Sequence, residues 1–289
     1  MKIVHSIDEV RAEIRKSKIA GKRIGLVPTM GYLHKGHISL VSIAKENSDF
    51  IVMSIFVNKL QFNDINDFNK YPKDIEQDII AADSGGVDLL FIPDDSEMYQ
   101  NNLTTVNVGI LTGNLCGAHR PGHFEGVFTV VSKLFNIVQP DVAVFGQKDI
   151  QQAVTIEKMV YDLNFPIHII IAPIVRESSG LAMSSRNKHL SEKHRSDALV
   201  LNKSLNECKK MIDSGYVDVK DITNTMQSII ESGSPDKIDY ISIVGYSDLS
   251  HINTIEEKSI VAVAAFWGST RLIDNMIIDK DDSGFLCIY

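Results

Sequence analysis

The sequence predicts an α/β protein, with a doubly wound parallel sheet in an N-terminal domain and a smaller α+β domain after it. Three observations carry that expectation. Short apolar runs alternate with segments of helical period from Ile24 to Val175, the pattern of parallel βαβ units with right-handed crossovers. After about Ser178-Ser179-Gly180 the texture changes, with helices first and short strands following. The 289 residues also exceed one comfortable hydrophobic core, so two domains, 1–178 and 179–289, are expected.

Taken in order, Ile24 to Pro28 reads as a short buried strand and Gly36 to Ser48 as a helix. Phe50 to Val57 is a second strand, and Lys73 to Ser84 a helix closed by Gly85-Gly86. Val87 to Pro93 is a third strand. Glycine at a helix end and proline just past a strand are the expected punctuation. Phe124, Val127, Phe128, Val131, Leu134, Phe135 and Val138 mark one face at spacings of three and four, which makes His123 to Val138 an amphipathic helix. Pro140 stops it. Val142 to Phe145 returns as a strand, Asp149 to Leu163 is the next helix, and Ile167 to Val175 a further strand. This part of the chain therefore reads as a Rossmann-like sheet. Beyond it, Ser191 caps a long polar helix whose stripe is Ala198, Leu201, Leu205, Cys208 and Ile212. A helix near Val219 to Glu231 follows, then strands at Tyr240 to Val244, Ile260 to Ala265 and Arg271 to Ile278.

Composition narrows the function classes. Hydrophobic residues at 44% and charged residues at 23% exclude a disordered chain, a collagen-like fibre and a disulfide scaffold. Lys+Arg 29 against Asp+Glu 37 gives a net charge of -8, which argues against a broad nucleic-acid footprint and leaves room for a local basic pocket for a small anion. Cys116, Cys208 and Cys287 lie far apart with no CxxC pair, so a reducing cytoplasm is the expected compartment. The stretch from Met1 to Arg11 meets charge too early for the apolar core of a signal peptide. The longest apolar runs, such as Ile260 to Trp267, fall short of the roughly 18 residues a membrane helix needs.

Three segments carry chemistry. The first is Pro28-Thr29-Met30-Gly31-Tyr32-Leu33-His34-Lys35-Gly36-His37, between the first strand and its helix. Ligands of open α/β sheets bind there, outside the carboxyl ends of the strands, and the helix that follows presents unpaired N–H groups suited to phosphate. His34 and His37, three residues apart, can lie on one side of the first turn and donate to phosphate oxygens. A metal pair, or a packed or capping role, are the alternatives for these histidines. No P-loop lysine motif or GxGxxG fingerprint is present. The second segment is Gly146-Gln147-Lys148-Asp149, at another strand-to-helix junction. Lys148 offers a point charge for phosphate and Asp149 a helix cap; the alternative is an ordinary turn with a solvated lysine. The third is Met183-Ser184-Ser185-Arg186, where two hydroxyls and a guanidinium on a junction suit a closing phosphate clamp; the alternative is an ordinary Ser-rich turn. Gln61 and Gln152 are neutral amides that can hold hydroxyls and a carboxylate without neutralising the carboxylate; the alternative for each, favoured by the residues alone, is an ordinary surface glutamine.

These segments, together with Val27 to His37, Phe56 to Phe62, Arg120 to Phe124, Lys133 to Asp141, Gly146 to Gln152, Val175-Arg176-Glu177 and Thr270 to Asn275, resemble the pantothenate synthetase (pantoate–β-alanine ligase) family over nearly the whole chain. The resemblance implies ATP-dependent ligation of (R)-pantoate and β-alanine to pantothenate, AMP and diphosphate through a pantoyl adenylate, with Mg²⁺ accompanying ATP. It implies that Met30, Gly31, Tyr32, Leu33, His34, Lys35, Gly36, His37, Gly146, Gln147, Lys148, Asp149, Val175, Met183, Ser184, Ser185 and Arg186 contact ATP. By the same resemblance Gln61 serves pantoate and β-alanine, Gln152 serves pantoate, and His37 is a proton donor, with His34, Lys148 and Arg186 as its catalytic companions. A homodimer formed through the N-terminal domain is implied as well.

The chain departs from the family pattern at Lys59, where proline is usual, and at Gln147, where a charged residue commonly precedes the lysine. Gly245-Tyr246 and Gln100 depart too. Two rival functions are a different nucleotidyltransferase and a non-catalytic nucleotide-binding module. The Gln61 and Gln152 pair, without extra basic residues for a second phosphate, argues against the first. The intact His34, His37, Lys148 and Arg186 argue against the second.

Overall fold

The structure, a computed structural model, describes residues 1–63, 65–118, 120–281 and 284–289; of residues 66, 67, 110 and 281 only the backbone is described. The chain divides into two compact units, Met1–Gly146 with Thr155–Ala172, and Gln147–Val154 with Pro173–Tyr289.

Among the described residues the first unit builds a six-stranded sheet from β1 (Lys2–Val4), β2 (Ile24–Thr29), β3 (Phe50–Ile55), β4 (Leu89–Phe91), β5 (Val142–Gly146) and β6 (His168–Ala172). All neighbours run parallel in the order β1-β4-β3-β2-β5-β6. From β2 the chain steps outward through β3 and β4, then returns past β2 to β5 and β6. Strand order therefore reverses between β2 and β5, which is the topological switch point where such sheets bind ligands.

Both faces of this sheet are covered, which is why its strands are short continuous apolar runs rather than alternating ones. On one face Val27, Met53, Leu90 and Val144 pack with Leu40, Val41 and Ala44 of helix Lys35–Asn47 and Ala82 of helix Ile75–Gly85. Alternation turns Phe145 to the other face, where its ring meets Phe135 of helix His123–Val138 edge-on at 6.4 Å. Helix Ile75–Gly85 opens on the Asp74 cap and ends at Gly86 in a left-handed conformation, φ 85°. The doubly wound α/β expectation is met.

Among the described residues the second unit holds a four-stranded antiparallel sheet, β10-β9-β8-β7, from β7 (Lys237–Gly245), β8 (Ser259–Trp267), β9 (Thr270–Asp281) and β10 (Gly284–Ile288). Helices Val200–Asp213 and Val219–Glu231 lay Leu201, Leu205, Cys208, Ile212, Ile222, Met226 and Ile230 against Val261, Val263, Ala265 and Trp267. The Trp267 indole donates to the Gly233 carbonyl at 3.0 Å, which satisfies its one polar group inside the core.

Several expectations are corrected. The long polar helix after Ser191 is two helices, Glu192–Asp197 and Val200–Asp213. Leu199 N–H bonds Ser196 O and Leu201 N–H bonds Ala198 O, the i→i−3 pattern of a tighter turn that breaks the ladder. The strand expected over Ile167 to Val175 stops at Ala172, because Pro173 has no N–H to continue it. Sequence reading passes over β1, β10 and helix Ile7–Ile19. The last carried a signal: Ser6 and Glu9 form a capping box, with each side chain on the other residue's backbone N–H. No helix of the described residues is long and apolar enough to cross a membrane.

Candidate functional site

In the first unit the loop after β2 lies at the switch point. Gly31 has φ +83°, and an added Cβ would stand 2.8 Å from Asp78 Oδ2 and 3.0 Å from Ile55, so glycine is needed on both counts. The buried Asp78 carboxylate, reaching from helix Ile75–Gly85, accepts the Tyr32 N–H at 2.8 Å and the Leu33 N–H at 2.6 Å. These bonds fix the turn, Tyr32 included at φ 53°, that delivers His34 to its helix.

His34 is the N-cap of helix Lys35–Asn47. Its Nδ1 accepts the Gly36 N–H at 3.2 Å, and His37 Nδ1 in turn accepts the His34 N–H at 3.2 Å. The rings lie 4.1 Å apart, centroid to centroid. The capping alternative is thus realised, and it is compatible with a ligand role. An accepting Nδ1 places the proton of a neutral imidazole on Nε2, so each neutral ring carries its donor on the atom not used by the cap. The first turn of this thirteen-residue helix is thus capped by its own two imidazoles, each through Nδ1. Lys35 is exposed on the same turn, and Gly36 supplies the capped N–H.

Gln61 is buried in a short 3₁₀ turn, Lys59–Gln61, after β3. Its Nε2 lies 3.1 Å from Met30 Sδ, which joins this residue to the loop after β2. Its Oε1 accepts from Asn58 Nδ2 at 3.0 Å, and its backbone carbonyl meets His123 Nδ1 at 2.6 Å. Helix His123–Val138 presses directly on this turn at Gly126, where a Cβ would fall 2.4 Å from the Leu60 backbone. Gly126→Ala is therefore expected to cost about 1–3 kcal/mol through overpacking and to displace Gln61. Thermal unfolding followed alongside activity checks it.

In the second unit the Gln147–Asp149 turn is anchored to β9. Asn275 Nδ2 donates to the Gln147 and Lys148 carbonyls at 2.9 and 3.0 Å, and Gln147 Nε2 donates to Asn275 Oδ1 at 3.3 Å and to Ile288 O at 3.0 Å. Gln147 is buried, and its side-chain Nε2 is spent on these bonds. The Lys148 ammonium sits 3.5 Å from Asp149. Gln152 is half-buried on helix Ile150–Asp162. Beside Asn275, Asp274 takes a bidentate pair of bonds from Arg176 at 2.6 and 3.0 Å and another from the Asn275 N–H at 2.9 Å. Burial pushes the Asp274 carboxyl up, and the Arg176 guanidinium pulls against it.

The segment 175–187 forms a narrow hairpin. Val175 and Met183 pair through the Met183 N–H to Val175 O bond at 2.9 Å, and Arg176 bridges Ala182. Ser184 caps the 3₁₀ turn Ser185–His189 by accepting the Arg186 N–H at 3.2 Å, leaving the Arg186 side chain exposed. Behind it the Glu177 carboxylate joins Asn187 Nδ2, at 2.7 Å, to the Arg195 guanidinium.

Comparison with known proteins decides the assignment. Residues 2–277 match the family model described as pantoate-beta-alanine ligase. The chain belongs to the pantoate-beta-alanine ligase family. A pantothenate synthetase of Thermoanaerobacter sp. (strain X514) is 52% identical over 278 residues, covering 96% of this chain and 98% of the relative. The crystal structure of pantothenate synthetase from Thermus thermophilus superposes with a TM-score of 0.89 at 40% identity, over 95% of this chain and 98% of that one. The pantoate-beta-alanine ligase of Francisella tularensis, solved in complex with beta-gamma ATP and beta-alanine, gives a TM-score of 0.75 at 37% identity, with 95% and 97% coverage.

For a member of this ligase family, sequence reading missed Asp78, Asn58 and the Asp274-Asn275 pair as groups that shape the candidate site, and it missed Tyr99, whose hydroxyl donates to Asn58 Oδ1 at 2.6 Å. Asp78 gave a faint signal as a carboxylate within the helix that follows Lys73. Asn275 gave none by spacing, since it acts on Lys148 across 127 positions.

Proposed function

We propose that the chain ligates (R)-pantoate to β-alanine at the expense of ATP, giving pantothenate, AMP and diphosphate through a pantoyl adenylate. Membership of the pantoate-beta-alanine ligase family supports this, as does the Francisella relative solved with beta-gamma ATP and beta-alanine. The observation that carries it furthest is the histidine-capped helix at the switch point. There two imidazoles on one helical turn, each capping through Nδ1, are placed to donate through Nε2 to the phosphates of a nucleotide.

In this reading the pantoate carboxylate attacks the α-phosphorus in line and diphosphate leaves. The amine of β-alanine, unprotonated, then attacks the acyl carbon and AMP leaves. The first barrier is largely electrostatic, because two anions meet and more negative charge develops on phosphate oxygens. His34, His37, Lys148 and Arg186 offset that charge, with His37 as the proton donor. The remaining ATP contacts are those of residues 30–37, Gly146 to Asp149, Val175 and Met183 to Ser185. Gln61 and Gln152 hold pantoate through neutral amides that leave its carboxylate nucleophilic, and Gln61 also serves β-alanine. Residues 1–178 bind nucleotide and pantoate, and 179–289 act as the lid that excludes water from the adenylate.

Mg²⁺ would neutralise the triphosphate. The ion would be carried on phosphate oxygens with its waters retained; among the described residues no three His, Cys, Asp or Glu side chains gather into a cage. A cytoplasmic homodimer completes the proposal.

The deciding experiment is ATP–diphosphate exchange with and without pantoate, with β-alanine absent. Exchange that requires pantoate is the expected result. Exchange without pantoate, or none with it, overturns the acyl-adenylate route.

A further inference from the structure

Gln61 has an amide with two unlike ends, and its surroundings settle which end faces where. Asn58 is the reference. Its Oδ1 accepts the Leu60 N–H at 3.3 Å, and its Nδ2 donates to the Gly126 carbonyl at 3.0 Å. A backbone N–H only donates and a carbonyl only accepts, so Asn58 cannot turn over without losing both bonds. The second Nδ2 proton goes to Gln61 Oε1. Gln61 thus spends its oxygen on Asn58 and turns its NH₂ toward Met30 Sδ, a weak acceptor that a carboxylate or hydroxyl oxygen would outcompete.

Tyr99 closes the chain. Its hydroxyl donates to Asn58 Oδ1 at 2.6 Å. Burial, with a smaller push from Asp95, raises this phenol above its ordinary range, so it keeps its proton at any working pH. The ring is held by Phe56 at 5.8 Å and flanked by the Lys59 and Lys133 ammonium groups at 5.9 and 5.6 Å. Lys59, the departure from the family's usual proline, is thereby part of the wall that seats Tyr99, and it also pairs with Asp95 at 3.3 Å.

We propose that Tyr99 and Asn58 are positioning residues that lock Gln61 as a hydrogen-bond donor toward an oxygen of the acid substrate. This rests on the reading of Gln61 as a pantoate ligand given above. A reversed glutamine would present its carbonyl to a carboxylate and repel it. The relay Tyr99 O–H to Asn58 to Gln61 therefore selects for an acid oxygen at this position and against an ammonium group.

A double-mutant cycle in the full chain tests the relay, with pantoate KM and ATP KM of the exchange reaction read together. Tyr99→Phe keeps the ring and removes only the O–H. It is expected to raise the pantoate KM about three- to tenfold, the range for losing one hydrogen bond, and to leave the ATP KM unchanged. In a Gln61→Ala background the same substitution is expected to change the pantoate KM by less than about twofold, because its effect has no carrier. Should Gln61→Ala be too slow for exchange, calorimetric titration with pantoate applies the same criteria. A Tyr99→Phe factor that persists in the Gln61→Ala background overturns the relay, as does a parallel rise in the ATP KM or an unchanged pantoate KM. Gln61→Ala alone leaving the pantoate KM at its wild-type value sinks the ligand reading of Gln61 instead, so the two ideas fail separately.

Discussion

Lys148→Ala is expected to lower pantoate-dependent ATP–diphosphate exchange by about 10²–10³ while leaving the unfolding temperature nearly unchanged. The two halves of that expectation have different sources. The ammonium is a compact charge on a side chain only 19% exposed, in a segment the proposal assigns to ATP, so its loss removes preorganised stabilisation of the reacting phosphate. Folding is spared because β9 grips the backbone of this residue. Asn275 donates to the Lys148 carbonyl, a bond that alanine keeps. The side chain itself pairs with Asp149, which is 53% exposed, and such pairs contribute about 0–1 kcal/mol. Exchange near the wild-type rate in this variant would remove Lys148 from the chemistry. His37→Ala tests the same step less cleanly. It also deletes the acceptor for the His34 N–H, so about 0.5–2 kcal/mol of capping goes with it.

Asp274→Ala is expected to destabilise the second unit by about 3–5 kcal/mol, because it leaves the Arg176 guanidinium without the bidentate partner it meets in a largely water-excluded place. The chain has two units, so a single unfolding free energy would be poorly defined. A local reporter avoids this. Trp267 is the chain's one tryptophan and is buried in the second unit's core, so its fluorescence follows that unit's unfolding. The emission transition should move to lower temperature in Asp274→Ala. Replacing both partners, as Arg176→Met with Asp274→Leu, should recover most of the loss, because no charge is then left unpaired. An unshifted transition in the single variant would show that the pair contributes no stability.

What could be read from the chain follows the range of the interactions. The alternation of apolar runs and amphipathic stripes disclosed the doubly wound sheet, because burial on both faces of a parallel sheet leaves a local mark. Helix His123–Val138 has the predicted ends, since Gly122 and Pro140 punctuate a stripe that the core demands. The His34–His37 pairing was legible for the same reason: capping acts over three residues. The groups around these residues were not. Asp78 reaches the loop after β2 from another helix, and the periodicity of that helix says which residues are buried but not what they touch. Strand β10 exists through its register with β9, and Asn58 takes its meaning from Gly126, 68 positions on. Such partners are set by topology, which composition and spacing do not encode.

The anchoring of the Gln147–Asp149 turn has a consequence for how the protein is made. At about 5–20 residues per second, Asn275 is polymerised roughly 6–25 s after Lys148. Over that interval the turn lacks the side chain that later holds its carbonyls, and Gln147 waits longer still for Ile288. A nascent chain can thus assemble its parallel sheet early and still carry an unfinished lysine turn. If Lys148 serves the nucleotide as proposed, that turn reaches its final geometry only once the last strands of the chain have been made.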